Sequence, residues 1–261
     1  IMQFRSINIG PGRQKPEAMV DDPTAWMVDG PLAGFLLMHT KEIKYMCMLG
    51  YTFMGGCKVF GAVSPDAAVS YKFVNMVLAC TGGGIFVPVF LNLIPVPLAT
   101  DAYIIAISCS FFLHYFFPVL RDVMKISPLF KICIVVMFET LRATVVCTFT
   151  KAAAANIPAS QFSFPLFGPI ICGSIAGCGA AFMPMNKGLE PMKNGLAPPM
   201  LTALLGAAGY HLYLSTSLSD GTIDAEKKAK VHVAAMFVSV GLAAAFNVAQ
   251  PATVTAAKKN K

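Results

Sequence analysis

Charged residues are scarce in this chain of 261 residues, because Asp, Glu, Lys and Arg together make up only 13% of it. Soluble domains carry about 25% charged residues, which keep their surfaces hydrated. Hydrophobic residues reach 56%, and the mean hydropathy is +0.65. The shortage of charge argues against a water-soluble globule and indicates that lipid surrounds most of the chain.

Catalytic and metal-binding motifs are also missing. The sequence has no Gly-x-Ser-x-Gly elbow, no phosphate loop with lysine, no His-Glu-x-x-His and no Cys-x-x-Cys pair. The eight cysteines lie in apolar segments, where they are expected to act as packing residues. We therefore expect neither an enzyme nor a cofactor or metal site. The net charge of +7 is spread over loops, which disfavours nucleic acid and favours anionic lipid headgroups as partners.

Long apolar runs dominate what remains. A membrane span needs about 20 mostly apolar residues. Seven windows qualify: Ile43–Val63, Ala67–Leu91, Asp101–Leu120, Pro128–Thr150, Phe164–Met185, Pro198–Leu218 and Ala229–Val248. The first is the weakest because Lys58 lies near its end, where its ammonium would have to reach the interface. Six spans are therefore the alternative count.

A weak internal repeat relates the two halves of the chain. At an offset of 96 residues, Phe86-Val87-Pro88 overlays Phe182-Met183-Pro184 and Gly83 overlays Gly179. Later matches follow at offsets of 97 and 98. A unit of three spans is odd in number, so consecutive copies enter the membrane from opposite sides. The sequence predicts an all-α integral membrane protein with about seven transmembrane helices: two inverted three-helix repeats plus one.

The repeat suggests a division of the chain into four parts. Residues 1–42 are expected to form a polar tail with a short interfacial segment, and residues 43–126 the first repeat. The second repeat follows in residues 127–226. A seventh helix and a basic tail occupy residues 227–261.

Two glycine clusters lie inside apolar windows. Glycine in a helix interior costs about 1 kcal/mol relative to alanine, so clusters indicate broken or closely packed helices. We predict helix breaks beside a pore at these positions: Gly82, Gly83, Gly84, Gly173, Gly177 and Gly179.

Glu139 and Arg142 are the ionisable residues in the middle of the fourth window, three residues apart on one helix face. Such groups usually face a cavity or a partner. They are either part of a pore or lipid-headgroup site, or a structural ion pair. Pro118 is expected to end a helix, with Asp122 in the solvated loop beyond it. His114 and His211 are either proton relays or hydrogen-bonded core residues.

From Tyr71 to Pro191 the chain resembles the trimeric intracellular cation (TRIC) channel family. The resemblance rests on the order and spacing of four features: Gly82-Gly83-Gly84-Ile85, Phe117-Pro118 with Asp122, Glu139 with Arg142, and the glycines Gly173, Gly177 and Gly179. It implies seven spans, a homotrimer, and a pore in each subunit for monovalent cations, mainly potassium. It also implies basic residues that bind a phosphoinositide headgroup.

Two positions depart from the family pattern. Phe138 and Ala176 occupy places where the family has basic residues, so Arg142 is left without two of its cationic neighbours. Two functions stay open: a potassium channel of an intracellular membrane, or a non-conducting subunit of a larger respiratory or photosynthetic complex.

The two ends of the chain bear on which membrane the protein occupies. Lys258-Lys259-Asn260-Lys261 fits a dilysine signal and favours the endoplasmic reticulum. The start at Ile1 is expected to be processed or truncated, which leaves the mitochondrial inner membrane or a plastid membrane as the alternative.

Overall fold

The described residues of the computed structural model, 22–159, 161–178 and 196–246, contain helices and no strand. The helices are α1 (Trp26–Asp29), α2 (Pro31–Leu36), α3 (Lys41–Ala62), α4 (Val69–Phe90), α5 (Val96–Ala99), α6 (Asp101–Phe116), α7 (Val119–Ile126), α8 (Pro128–Asn156), α9 (Phe167–Cys178), α10 (Pro198–Ser215) and α11 (Ala225–Ala245). The second half of the fifth window, the dilysine tail and Gly179 lie outside these residues.

Each of the seven apolar windows contains one helix of at least twelve residues, namely α3, α4, α6, α8, α9, α10 and α11. By length and apolarity alone, α4, α8 and α11 qualify as membrane spans within the described part, and the bent pair of α6 and α7 makes a fourth. The starts of these helices are separated by similar but not identical distances in the chain: Phe167 follows Val69 by 98 residues, where the sequence match inside these helices has 96, and Pro198 follows Asp101 by 97.

The longest helix, α8, lies at the centre of the bundle and packs against α3, α9, α10 and α11. The first helices of the two predicted repeats, α3 and α8, contact each other, and so do the second ones, α4 and α9. Many large apolar side chains stay exposed on the outside, for example Ile126 at 81% and Leu98 at 78%. An apolar exterior of this kind suits a lipid environment.

The glycine triplet does not break its helix. The helix α4 continues through Gly82, Gly83 and Gly84, which corrects the expectation of a break there. A Cβ atom built on Gly83 would lie 2.5 Å from the Ala176 carbonyl oxygen and 2.6 Å from that of Ile175. The triplet therefore allows α4 and α9 to touch backbone to backbone, which is the close-packing role of small residues between membrane helices.

The break that the structure does contain lies at Pro118. There α7 turns away from α6 by 91°. Because proline has no N–H, it cannot donate to the His114 carbonyl one helical turn earlier. The Arg121 guanidinium donates to that carbonyl instead, at 2.7 Å. Asp122 thus lies on a short helix, not in a loop as expected, and its carboxylate pairs with Lys125 at 2.9 Å.

Part of the N-terminal segment is packed against the bundle, where the sequence predicts a polar tail with a short interfacial segment. Val28 is 3% exposed and Leu36 6%, and both α1 and α2 contact α11. The Lys228 ammonium of α11 donates to the Asp22 carboxylate at 2.5 Å and to the Thr24 hydroxyl at 2.6 Å. The pKa of the Asp22 carboxyl group is lowered from 3.8 to about 2, and the hydrogen bond from Lys228 is the main cause.

We predict that Gly83→Ala destabilises the protein by about 1–3 kcal/mol, because the new methyl group would meet backbone atoms that cannot rotate away. The matched control is Gly61→Ala, where nothing lies within 4 Å of a Cβ atom. The control should gain about 0.5–1 kcal/mol from helix propensity. Thermal unfolding in detergent measures both, and equal effects would contradict the close contact between α4 and α9.

We also predict that acid releases α1 from α11. A carboxyl group with a lowered pKa stabilises the folded state above its ordinary pKa and loses this contribution as the pH falls through the folded value. The contact should therefore be intact above pH 3.8 and lost towards about pH 2. Trp26 of α1 is the single tryptophan, so its fluorescence anisotropy reports the release.

Asp22→Asn should lower the anisotropy of Trp26 already at neutral pH, because an amide binds the Lys228 ammonium more weakly than a carboxylate does. Asp29→Asn, at an exposed position of α1, is the control and should leave it unchanged. An acid transition centred above pH 4 would show that Asp22 is not the group that titrates.

Candidate functional site

The predicted pair of Glu139 and Arg142 lies halfway along α8, buried on one face of the helix. Arg142 is 4% exposed and Glu139 7%. The Arg142 Nη1 donates to the Glu139 Oε2 at 2.6 Å. Two buried charges are stable only when they pair with each other and when the remaining hydrogen-bonding groups of both side chains also have partners.

The Arg142 guanidinium also binds two other helices. Its Nε donates to the Gly177 carbonyl near the end of the described part of α9, at 2.8 Å. Its Nη2 donates to the Pro199 carbonyl in the first turn of α10 at 2.7 Å, and to the Thr202 hydroxyl at 3.3 Å. The Arg142 side chain therefore joins the middle of α8 to α9 and α10.

The eleventh helix closes the other side of this pair. The Arg142 guanidinium carbon lies 4.9 Å from the centre of the Phe237 ring, a distance that allows a cation–π contact. A Cβ atom on Gly241 would overlap the side chain of Glu139, so α11 packs directly over that carboxylate. The pair is thus enclosed by four helices, which fits the hypothesis of a structural ion pair.

The remaining glycines of the prediction line the same helix contacts. Gly177 faces Val146 and Ala203, and Gly173 faces Thr150 and Ala207. Both lie inside α9, between α8 and α10. At both positions the missing side chain allows α9 to pack closely against α8 and α10.

A small cavity of about 130 Å³ lies beside the ion pair, and two cationic side chains line it. One is Arg142; the other is Lys58 of α3, whose ammonium lies 4.7 Å from the centre of the Phe138 ring. In the sequence, Lys58 is interpreted only as an interfacial lysine. The residue is indeed exposed overall, but its ammonium lies against the Phe138 ring at the wall of this cavity, a contact that its position near the end of α3 does not predict.

This central cavity is one of three in a row. Lys58 also lines a cavity of about 480 Å³ towards the start of α4. On the other side, Tyr51 and Cys80 separate the central cavity from one of about 40 Å³ next to Gly84 and Val96. A space of 40 Å³ holds a few waters at most. The largest of the three lies between the end of α3 and the start of α4, and the two smaller ones lie among α3, α4, α8 and α9.

Both predicted histidines are core residues. The His114 Nε2 forms a hydrogen bond with the Phe53 carbonyl at 2.8 Å, and the His211 Nε2 with the Pro165 carbonyl at 2.5 Å. All eight cysteines are free, and the described residues include no group of three His, Cys, Asp or Glu side chains that could hold a metal ion.

These features define an all-α, multi-pass membrane protein whose helices meet at a buried arginine. Its fold is that of a trimeric intracellular cation channel. A structure of such a channel from C. elegans, in the absence of Ca²⁺, aligns with a TM-score of 0.60 at 18% sequence identity. The alignment covers 81% of this chain and 93% of that chain. The resemblance seen in the sequence is thereby confirmed at the level of the fold.

No protein-family model matches the chain, and no curated protein matches it.

We predict that Arg142→Ala lowers the free energy of unfolding by about 3–5 kcal/mol, because it leaves the Glu139 carboxylate buried without a partner. The control is Lys125→Ala, which removes an ion pair of the same spacing whose side chains are 75% and 60% exposed. Its loss should stay below about 1 kcal/mol.

Combining Arg142→Ala with Glu139→Gln should recover part of the loss, because no buried charge then remains. Denaturant titration in detergent micelles measures all four proteins. Similar losses for Arg142→Ala and Lys125→Ala would mean that the central pair is hydrated, as expected of an open pore.

Proposed function

We propose that this chain is a TRIC-like channel that conducts monovalent cations, potassium foremost, across an intracellular membrane. The observation that carries the proposal is the shared fold, which extends over 93% of the C. elegans cation channel. We further propose that the chain forms a homotrimer, as the name of that channel states for its own family. Among intracellular membranes we keep the endoplasmic reticulum as the favoured one.

The row of three cavities supports a path for ions within one subunit. Its two inner cavities lie among α3, α4, α8 and α9, and Gly84 of the glycine triplet lines the smaller of them. The side chains of Tyr51 and Cys80 separate its two inner cavities. We therefore assign the structure to a closed state.

The charges along the path set its conductance. The central cavity is lined by the cations Lys58 and Arg142, and the carboxylate of Glu139 offsets only one of them. One positive charge next to the path repels a passing potassium ion by roughly 1 kcal/mol or more, depending on hydration. We therefore expect a low cation conductance that Lys58 limits.

A second function is favoured by the same residues: a non-conducting subunit of a larger respiratory or photosynthetic membrane complex. Arg142 is held by four hydrogen bonds, and the glycines around it serve packing. A core fixed in this way suits a scaffold. We rank this alternative below the channel because the cavities persist beside the fixed arginine.

We predict that the purified protein conducts potassium in planar bilayers, and that Lys58→Gln raises the unitary conductance about fivefold, the factor that corresponds to about 1 kcal/mol. Lys125→Gln on the exposed face of α7 is the control and should leave conductance unchanged. A bilayer that stays silent with the wild type and with Lys58→Gln would argue against the channel.

The alternative has its own test, which is migration of the endogenous protein on a native gel in mild detergent with mass spectrometry of the band. A band near three subunits without stoichiometric partners supports the channel. A band with a defined set of respiratory or photosynthetic subunits would support the scaffold and identify its membrane.

A further inference from the structure

A cavity of about 440 Å³ lies outside the row of three, at one end of the bundle. Its walls are the end of α3, the bend between α6 and α7, and the first turn of α8. The helix α8 has 29 residues and is therefore about 43 Å long. That length matches a bilayer with its headgroups, about 40–45 Å. The first turn of α8, and the cavity beside it, therefore lie at the level of the lipid headgroups.

The short helix α7 runs along the membrane surface at this cavity. It turns 91° away from α6, and because α6 crosses the bilayer, α7 lies in the plane of the membrane. Val119, Val123 and Ile126 are exposed along one face of α7. Arg121 and Lys125, four residues apart, occupy another face. An amphipathic helix of this kind places its apolar face in the acyl chains and its charged face among the headgroups.

The lining of the cavity has more positive than negative charge. Its ionisable side chains are three cations, Arg121, Lys125 and Lys131, and the carboxylate of Asp122. Lys125 pairs with Asp122 at 2.9 Å, and this pair is nearly neutral. Arg121 and Lys131 form no ion pair with any carboxylate among the described residues. Two positive charges are therefore left for a bound anion.

Both of these cations are held in place by the protein. The Arg121 guanidinium carbon lies 5.1 Å from the centre of the Phe60 ring, and one of its N–H groups donates to the His114 carbonyl. The Lys131 ammonium lies 4.8 Å from the centre of the Phe246 ring and donates to the Ala245 carbonyl.

These contacts leave most of the binding capacity of both side chains unused. A guanidinium has five N–H groups and an ammonium three, and each side chain uses one of them on a backbone carbonyl. A carbonyl oxygen is uncharged and does not neutralise the cation. Because both side chains are ordered before an anion arrives, the entropic cost of binding it is small.

We propose that this cavity binds the phosphate group of an anionic phospholipid through Arg121 and Lys131. Hydrogen bonds between such cations and a phosphate are charge-assisted and therefore strong. The exposed apolar face of α7 favours a lipid over a free phosphate, because acyl chains can extend beside it. The chain after Phe246 has three lysines and no acidic side chain, which makes it a poor occupant. The site is separate from the buried Arg142 and does not depend on conduction.

The test uses the full chain in an uncharged detergent, to which phosphatidylglycerol or phosphatidylcholine with the same acyl chains is added. Native mass spectrometry measures the affinity for each lipid, and phosphatidylglycerol should bind more tightly. Combining Arg121→Gln with Lys131→Gln should weaken its binding at least tenfold, because each cation near the membrane surface contributes about a factor of five. The matched control combines Lys41→Gln with Lys44→Gln, which removes two exposed charges at the other end of α3 and should leave the affinity unchanged.

A second pair of substitutions separates the loss of charge from a loss of folding. Arg121→Lys with Lys131→Arg keeps both charges and should retain the affinity within about threefold. The proposal is overturned if this pair loses binding as fully as the glutamine pair does. It is also overturned if the glutamine pair binds phosphatidylglycerol as tightly as the control, or if the wild type binds both lipids equally.

Inorganic phosphate distinguishes a lipid site from a site for a soluble anion. When it is added in excess, with sodium chloride of equal ionic strength as the reference, the bound phosphatidylglycerol should remain. Complete displacement by phosphate alone would overturn the assignment to a lipid.

Discussion

The contacts of a single guanidinium group hold the centre of this bundle together. Arg142 joins its own helix to the end of the described part of α9 and to the first turn of α10. A buried arginine in lipid needs nearly all of its donors satisfied, because no water replaces a missing partner. The positions of these three helices are therefore coupled, and a movement of one changes the bonding of a buried charge.

The small residues follow from this constraint. For one side chain to reach carbonyl groups on two neighbouring helices, the backbones must approach closely, and only residues without large side chains permit that approach. Gly177 lies against Val146, and Gly83 lies against the backbone of α9 at Ala176. The glycine clusters and the central ion pair are thus two parts of one packing arrangement.

The sequence predicts the helices well because apolar length and spacing are local properties, and it predicts the pair of Glu139 and Arg142 from their spacing. It does not predict the partners of Arg142, since a backbone carbonyl such as that of Pro199 can belong to any residue type. It also misses the contact of the Lys58 ammonium with the Phe138 ring, because a lysine near a helix end can point either way. The bend at Pro118 is visible in the sequence, whereas the cap from Arg121 depends on the angle between two helices.

The positions of the cations around the central cavity also bear on the two proposed functions. Phe138 stands where the resemblance implies a lysine, yet the ammonium of Lys58 lies against its ring from the neighbouring helix. The central cavity therefore has a second cation, although the position of Phe138 lacks the lysine that the resemblance implies. Lys58 is exposed overall, so its ammonium stays in contact with solvent where it lies against the ring. A hydrated cation beside a row of cavities is what a path open to water would contain, which supports the proposed channel.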